Sequence, residues 1–154
     1  MFRGDTAAAK NLAKKATELD PAYFFGPMVD GWADCEIGKA AAAIPAFTKA
    51  RELGSPAFVT AWLGYAYAAS GDRARAMKEL ETLKERSLRG EVAPFNSALI
   101  HLGLGDHKRT MDYLEKAYAA DSQWLGWLKH DHIFDPLRAE PRFVALLRKV
   151  GLER

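Results

Sequence analysis

The sequence predicts an all-α fold in which antiparallel helix pairs stack into a solenoid. The first observation is a glycine that recurs at intervals of 34, 33 and 34 residues, at Gly4, Gly38, Gly71 and Gly105. The second is that small or apolar residues follow each glycine five, nine and twelve positions later, on what would be one helical face. Helix pairs of this size cannot bury their apolar faces alone, so the core is expected between stacked pairs.

Each recurring glycine predicts a boundary between two helices. Glycine tolerates the left-handed conformation that often ends a helix. Asp5, Asp72 and Asp106 each follow a glycine and can cap the next helix, whereas Lys39 occupies the corresponding position after Gly38. We therefore predict helices, in order, over 5–19, 26–36, 39–53, 57–70, 72–87, 92–103 and 106–120.

These helices divide into a half repeat and three full repeats. The half repeat covers 1–21, and the full repeats cover about 22–55, 56–90 and 91–122. Residues 1–4 are too few to form a first helix for the half repeat. We therefore expect this chain to be a fragment of a longer protein, and the alternative is a short protein that begins on a half repeat.

Residues 123–154 depart from the period and are expected to form C-terminal capping helices. The apolar pattern predicts one capping helix, a turn through Asp135-Pro136, and a final amphipathic helix from about 139 to 150. Terminal units of a repeat array must cover the exposed core. Trp124 and Trp127 are expected to seal the end of the stack in this way.

The third repeat carries a recognisable motif, made by Leu63, Gly64, Tyr67, Gly71, Ala76 and Leu80. It resembles the tetratricopeptide repeat, whose pattern is W-x-x-L-G-x-x-Y, then A-x-x-x-F, then a proline. The resemblance implies a right-handed superhelix whose concave surface is lined by the first helix of each pair. The run from Phe134 to Arg138, followed by Pro141-Arg142-Phe143, is similar to the end of the repeat region in bacterial multidomain signalling proteins.

The resemblance also places a candidate binding groove. It consists of Phe25, Met28, Trp32, Phe58, Trp62, Tyr65, Phe95, Asn96 and Leu99. Relatives that clamp the carboxylate of chaperone tails need basic residues here, and this set offers only Asn96, which excludes that ligand. Tryptophan and tyrosine are frequent binding anchors. We therefore expect a scaffold that binds a protein segment or peptide, with Trp32, Trp62 and Tyr65 exposed.

Two alternative functions remain open. The apolar concave face could pair with a second copy, which would make the chain a homodimerisation module. The groove could instead hold a small molecule, which would make it a ligand-sensing domain of a signalling protein.

Composition argues against several other classes of protein. Lys and Arg total 22 against 20 for Asp and Glu, so no nucleic-acid partner is expected. No apolar stretch approaches the roughly 20 residues that span a bilayer, so no membrane is expected either. The single cysteine, Cys35, fits the cytoplasm and reads as an inert buried thiol. The spacing of His130-Asp131-His132 suits a metal poorly, and we expect no enzyme activity and no cofactor.

Overall fold

The computed structural model describes residues 5–54 and 56–152. Within those ranges the chain forms eight α-helices and no β-strand, which confirms the all-α prediction. The α-helices are α1 Thr6–Leu19, α2 Phe25–Glu36, α3 Ala40–Leu53, α4 Ala57–Ala69, α5 Arg73–Ser87, α6 Pro94–Gly103, α7 His107–Ala119 and α8 Pro141–Lys149. Two 3-10 helices, Gln123–Trp127 and His132–Leu137, lie between α7 and α8.

The helices pack in adjacent pairs. Each of α1 to α4 packs extensively against the next helix, α6 packs against α7, and α4 also packs against α6. Apolar side chains fill the spaces between the helices, and Phe47, Leu63, Ile100 and Leu114 are fully buried. The core therefore runs along the array, from one pair to the next.

The seven helices predicted over 5–120 are present, with ends that lie within two residues of the predicted bounds. Gly38, Gly71 and Gly105 have φ angles of 72°, 90° and 72°, in the left-handed region that favours glycine. Gly4, the first of the series, lies outside the described residues.

The aspartates after these glycines cap the following helices. Asp72 Oδ1 accepts a hydrogen bond from the Arg75 amide at 3.0 Å, and Asp106 and Asp5 do the same for Arg109 and Ala8. Lys39 makes no capping hydrogen bond through its side chain. The substitution of lysine for aspartate thus leaves α3 without the cap that its counterparts have.

Glycine is also required where α4 meets α6. A methyl group at Gly64 would overlap the side chain of Ile100 and come within 3.1 Å of the Glu79 Cβ atom. The glycine of the Leu-Gly-x-x-Tyr motif therefore sets how closely the two helices approach.

The region after α7 differs from its prediction. The expected capping helix is a short 3-10 helix, and Asp135-Pro136, expected to form a turn, lie inside the second 3-10 helix. The first 3-10 helix contacts α7, and the second 3-10 helix contacts α2, at the other end of the groove. Residues 123–138, which we call the C-terminal strap, thus cross the face formed by α2, α4 and α6.

The final helix, α8, matches the amphipathic helix that the sequence predicts. It is tied to α7 by Arg142, whose Nη2 atom lies 2.8 Å from Asp112 and 2.9 Å from Glu115. None of the described helices combines the length and the apolar character needed to cross a membrane.

Candidate functional site

The structure buries most of the predicted groove. Trp32 and Trp62, which we expected to be exposed, retain only 6% of their accessible surface. Tyr65 and Phe58 are half-buried, and Phe25, at 38%, is the most exposed of the set. The remaining members of the set are all buried: Met28, Phe95, Asn96 and Leu99.

These rings are buried because they pack against one another. The Trp32 and Trp62 ring centroids are 5.9 Å apart, and the Trp62 ring lies 5.7 Å from that of Tyr65. Such edge-to-face pairs add to the stabilisation from apolar burial.

The C-terminal strap covers the rings from outside. Trp124 of the strap lies 5.9 Å from Phe58 on α4 and 6.5 Å from Phe95 on α6, measured between ring centroids. The expectation that Trp124 and Trp127 seal the end of the stack is therefore wrong. They lie over the inner face of the helix pairs, because the strap turns back across the groove.

An apolar cavity of about 300 Å³ remains between the strap and the helices. Its lining consists of Phe25, Val29, Trp32, Trp62, Phe95, Trp124, Trp127 and Asp131. Phe25 and Trp127 are each 38% exposed and mark the side that solvent can reach. The volume lies at the lower end of the range for small-molecule sites, roughly 300–1,000 Å³.

Asp131 is the one charged residue among those described as lining the cavity. It is only 4% exposed, and no N–H or hydroxyl donor of the described residues reaches its Oδ1 atom. The Glu36 Oε1 atom, at the end of α2, is also buried and also lacks such a donor. The two carboxyl groups hydrogen-bond each other, so one of them must hold a proton.

This environment raises the pKa of Asp131 to about 8. Burial is the largest cause, followed by the hydrogen bond and the negative charge of Glu36, while Arg138 opposes the shift. The Asp131 backbone is held in place, since its amide donates to the Trp127 carbonyl at 3.0 Å. A carboxyl group is thus fixed in an apolar cavity with part of its hydrogen-bonding capacity unused.

Three other polar groups near the cavity, on Trp32, Cys35 and Tyr65, are buried or half-buried. The Trp32 Nε1 atom has no acceptor among the described residues. Burial raises the pKa of the Cys35 thiol and of the Tyr65 hydroxyl, and the nearby carboxylates raise both further. Both groups are therefore neutral at physiological pH, which agrees with Cys35 as an inert buried thiol.

The three residues His130-Asp131-His132 do not converge on a common point. The side chain of Asp131 is buried at the cavity, whereas His132 Nδ1 is exposed and lies 3.1 Å from Asp135. Within 5–54 and 56–152, no three His, Cys, Asp or Glu side chains form a group that could hold a metal ion.

A larger open cleft of about 520 Å³ has a different character. It is lined by charged side chains of α3 and α5, among them Arg51, which pairs with Glu79 at 2.8 Å. Because Arg51, Arg75 and Arg86 of this cleft already pair with carboxylates, the cleft offers less to a ligand than the aromatic cavity does.

Sequence analysis missed Trp124, Trp127 and Asp131 as parts of one site. The strap lies outside the repeat, so its place over the groove does not follow from the repeat register. The signal that was present is a pair of tryptophans within a four-residue stretch, followed by an acidic residue.

Comparisons with models of protein families, with curated proteins and with solved structures found no match for this chain.

Proposed function

We propose that this chain is a non-enzymatic binding module of a right-handed, tetratricopeptide-like solenoid, and that it holds a small organic ligand in the aromatic cavity. The observation that carries the proposal is the C-terminal strap, which occupies the groove and leaves a partly open space of about 300 Å³. A space of this size suits a small molecule or a single side chain.

The same observation favours a small ligand over a peptide. An extended peptide would need the surface on Phe58 and Phe95 that Trp124 already covers. Binding a peptide there would require the strap to leave, at the cost of re-exposing those rings to water. Ligand sensing is thus better supported than a peptide-binding scaffold.

The chemistry of the cavity supports binding without catalysis. The Cys35 thiol, whose pKa burial raises, is a poor nucleophile, and the Tyr65 hydroxyl likewise stays protonated. We further propose that the module works in the cytoplasm as part of a bacterial signalling protein. A ligand between the strap and α2 would stabilise the closed arrangement by mass action, and attached domains could respond to that change.

Titration with toluene tests whether the cavity is a binding site, since dry apolar cavities take up such molecules. We expect saturable changes in the amide NMR signals of residues around the cavity. Val29→Phe should abolish them, because the larger side chain fills the space that Val29 now borders. Val92→Phe, at a half-buried valine outside the cavity, is the matched control and should bind as the wild type does.

Signals that do not move with toluene, or that move equally in Val29→Phe, would rule out the cavity as the site. A peptide that binds the wild type, and binds Trp124→Ala more tightly, would restore the scaffold hypothesis.

Self-association is a second candidate function, favoured by α1. Leu12 and Leu19 are 55% and 87% exposed and lie seven residues apart, on one side of the helix. Molar mass measured over a concentration series should then rise for the wild type. It should stay at that of the monomer for Leu12→Lys combined with Leu19→Lys.

A further inference from the structure

We infer that the ligand of the aromatic cavity carries an ammonium group, which the Asp131 carboxylate receives and the tryptophan rings surround. This inference rests on the proposed function, because it names the chemical class of the ligand for the same site.

The first argument is the unused acceptor at Asp131. Its Oδ1 atom and Glu36 Oε1 are buried, and no N–H or hydroxyl donor of the described residues reaches either atom, so the pair relies on the one proton that it shares. A buried carboxyl pair with no cation beside it is costly, so such a pair in a native protein calls for an explanation. An ammonium ion supplies both missing features, because it donates hydrogen bonds and carries a positive charge.

The second argument is the position of the tryptophan side chains. The chain has four tryptophans, Trp32, Trp62, Trp124 and Trp127, and all four line this one cavity. Among aromatic side chains, the indole ring attracts cations most strongly through its face. Each favourable contact contributes about 0.5–2 kcal/mol, and recognition of organic ammonium ions is its best-known use. A neutral apolar ligand would contact the rings but would provide no positive charge for the buried carboxyl pair.

The third argument is that Arg138 and Lys10, cations of the described residues, pair with carboxylates other than that of Asp131. Arg138 Nε lies 2.5 Å from Asp135, and its Nη2 atom donates to the backbone carbonyl of Asp131 at 3.4 Å. Lys10 lies 2.8 Å from Asp34, on another side of α2. Neither of these two cations of the described residues therefore pairs with the Asp131 carboxyl group.

The other titratable groups of the described residues around Asp131 agree with the binding of a cation beside its carboxyl group. They are Glu36 and Cys35 from α2, Tyr65 from α4, and Arg138 at the end of the strap. The proton shared by Asp131 and Glu36 neutralises part of their charge while the cavity is empty. A bound ammonium ion takes over that role, so the proton leaves to solvent as the cation enters.

Calorimetric titration of the full chain at pH 7 with two matched probes tests the inference. Benzylammonium carries the proposed group, and benzyl alcohol has the same ring with a neutral hydroxyl. We expect the wild type to bind benzylammonium at least about tenfold more tightly, the difference that one charge-assisted contact provides. Proton release should make the measured heat depend on the ionisation enthalpy of the buffer, which a purely structural role for Asp131 would not produce.

Asp131→Asn should remove both the preference for benzylammonium and the proton release, while benzyl alcohol binds as before. Asp121→Asn is the matched control, since it deletes the same charge at an exposed position where asparagine also tolerates the φ of 53°. It should leave both results unchanged. Circular dichroism should show that each variant is folded, so that a lost preference can be assigned to the missing carboxylate.

The outcomes separate this inference from the proposed function. Equal affinities for the two probes in the wild type, both lost in Val29→Phe, would overturn the ammonium inference and keep the cavity as a ligand site. No binding of either probe, together with no toluene binding, would overturn both. A capped Gly-Lys-Gly tripeptide forms a third arm, and its binding in place of the free amine would identify the ammonium as a lysine side chain of a partner.

Discussion

At the scale of single residues, the carboxyl pair of Asp131 and Glu36 lowers the stability of the empty protein. A buried carboxyl group that cannot ionise freely favours the unfolded state at any pH where the exposed group would be charged. Natural proteins keep such groups where function needs them, often at the expense of stability. The raised pKa of Asp131 therefore predicts how the stability of the protein depends on pH, without reference to any ligand.

The stability of the empty protein should fall between about pH 4 and pH 8. The pKa of Asp131 rises from 3.8 to about 8 on folding, so the folded state binds the proton more tightly than the unfolded state does. This contribution is fully present below pH 3.8 and is lost as the pH rises towards 8. Asp131→Asn should thus change stability little at pH 4.5 and raise it at pH 8 by roughly 1–3 kcal/mol.

Urea unfolding of the wild type and of Asp131→Asn at those two pH values checks the prediction. Buried His101, whose pKa burial lowers, titrates in both proteins alike, so its effect cancels in the difference. An equal difference in stability at both pH values would show that Asp131 is ionised in the fold.

At the scale of the helix, capping explains where several elements begin. Asp5, Asp72 and Asp106 each accept a backbone hydrogen bond at the start of α1, α5 and α7. Lys39 has a similar backbone conformation, with φ of −96° against −83° at Asp72, but lacks the acceptor. One helix start in the repeat is thus weaker for a reason that the sequence already shows.

Lys39→Asp should stabilise the protein by about 0.5–1 kcal/mol, because its carboxylate can accept the amide hydrogen bond that the other repeats satisfy. The midpoint of urea unfolding should rise while the slope stays constant. Lys39→Ala removes the lysine without adding a cap and should give no gain. An equal gain in both variants would assign the effect to the lost positive charge.

At the scale of the whole molecule, the strap joins parts of the chain that the repeats keep apart. Most contacts in the array are between neighbouring helices, so the stability of each pair depends mainly on the pairs beside it. The strap, by contrast, reaches from α7 back to α2. Its attachment depends on a few large side chains, among them the fully buried Phe134.

Phe134→Ala should loosen the strap without melting the helix pairs at the start of the array. Phe134 packs between Phe95 and Phe143, with ring centroids 6.3 and 6.1 Å away, and its loss should cost roughly 3–5 kcal/mol. Amide hydrogen exchange should accelerate in residues 123–149 and stay slow in α1 to α3. Tyr118→Ala, which removes an exposed ring, should change neither region. Uniform acceleration along the chain would show that the strap and the array unfold together.

The difference between local and long-range contacts explains how much of the structure the sequence could predict. Helix boundaries depend on local signals, such as Gly71 followed by Asp72, and those predictions are confirmed. The burial of Trp62 depends on Trp32, which lies far earlier in the chain, and on the strap, which begins only at Gln123. Those contacts are long-range and lie outside the repeat register, so no local pattern could reveal the cavity or place Asp131 in it.

The path of the strap also affects how cooperatively the protein unfolds. An array with contacts only between neighbours can fray from either end, one repeat at a time. A ligand held between Trp32 of α2 and Trp127 of the strap would act as a cross-link between distant segments. With this ligand bound, the array should unfold in a single sharp transition, whereas without the ligand it can unfold in stages. The sharpness of unfolding would then itself report whether the site is filled.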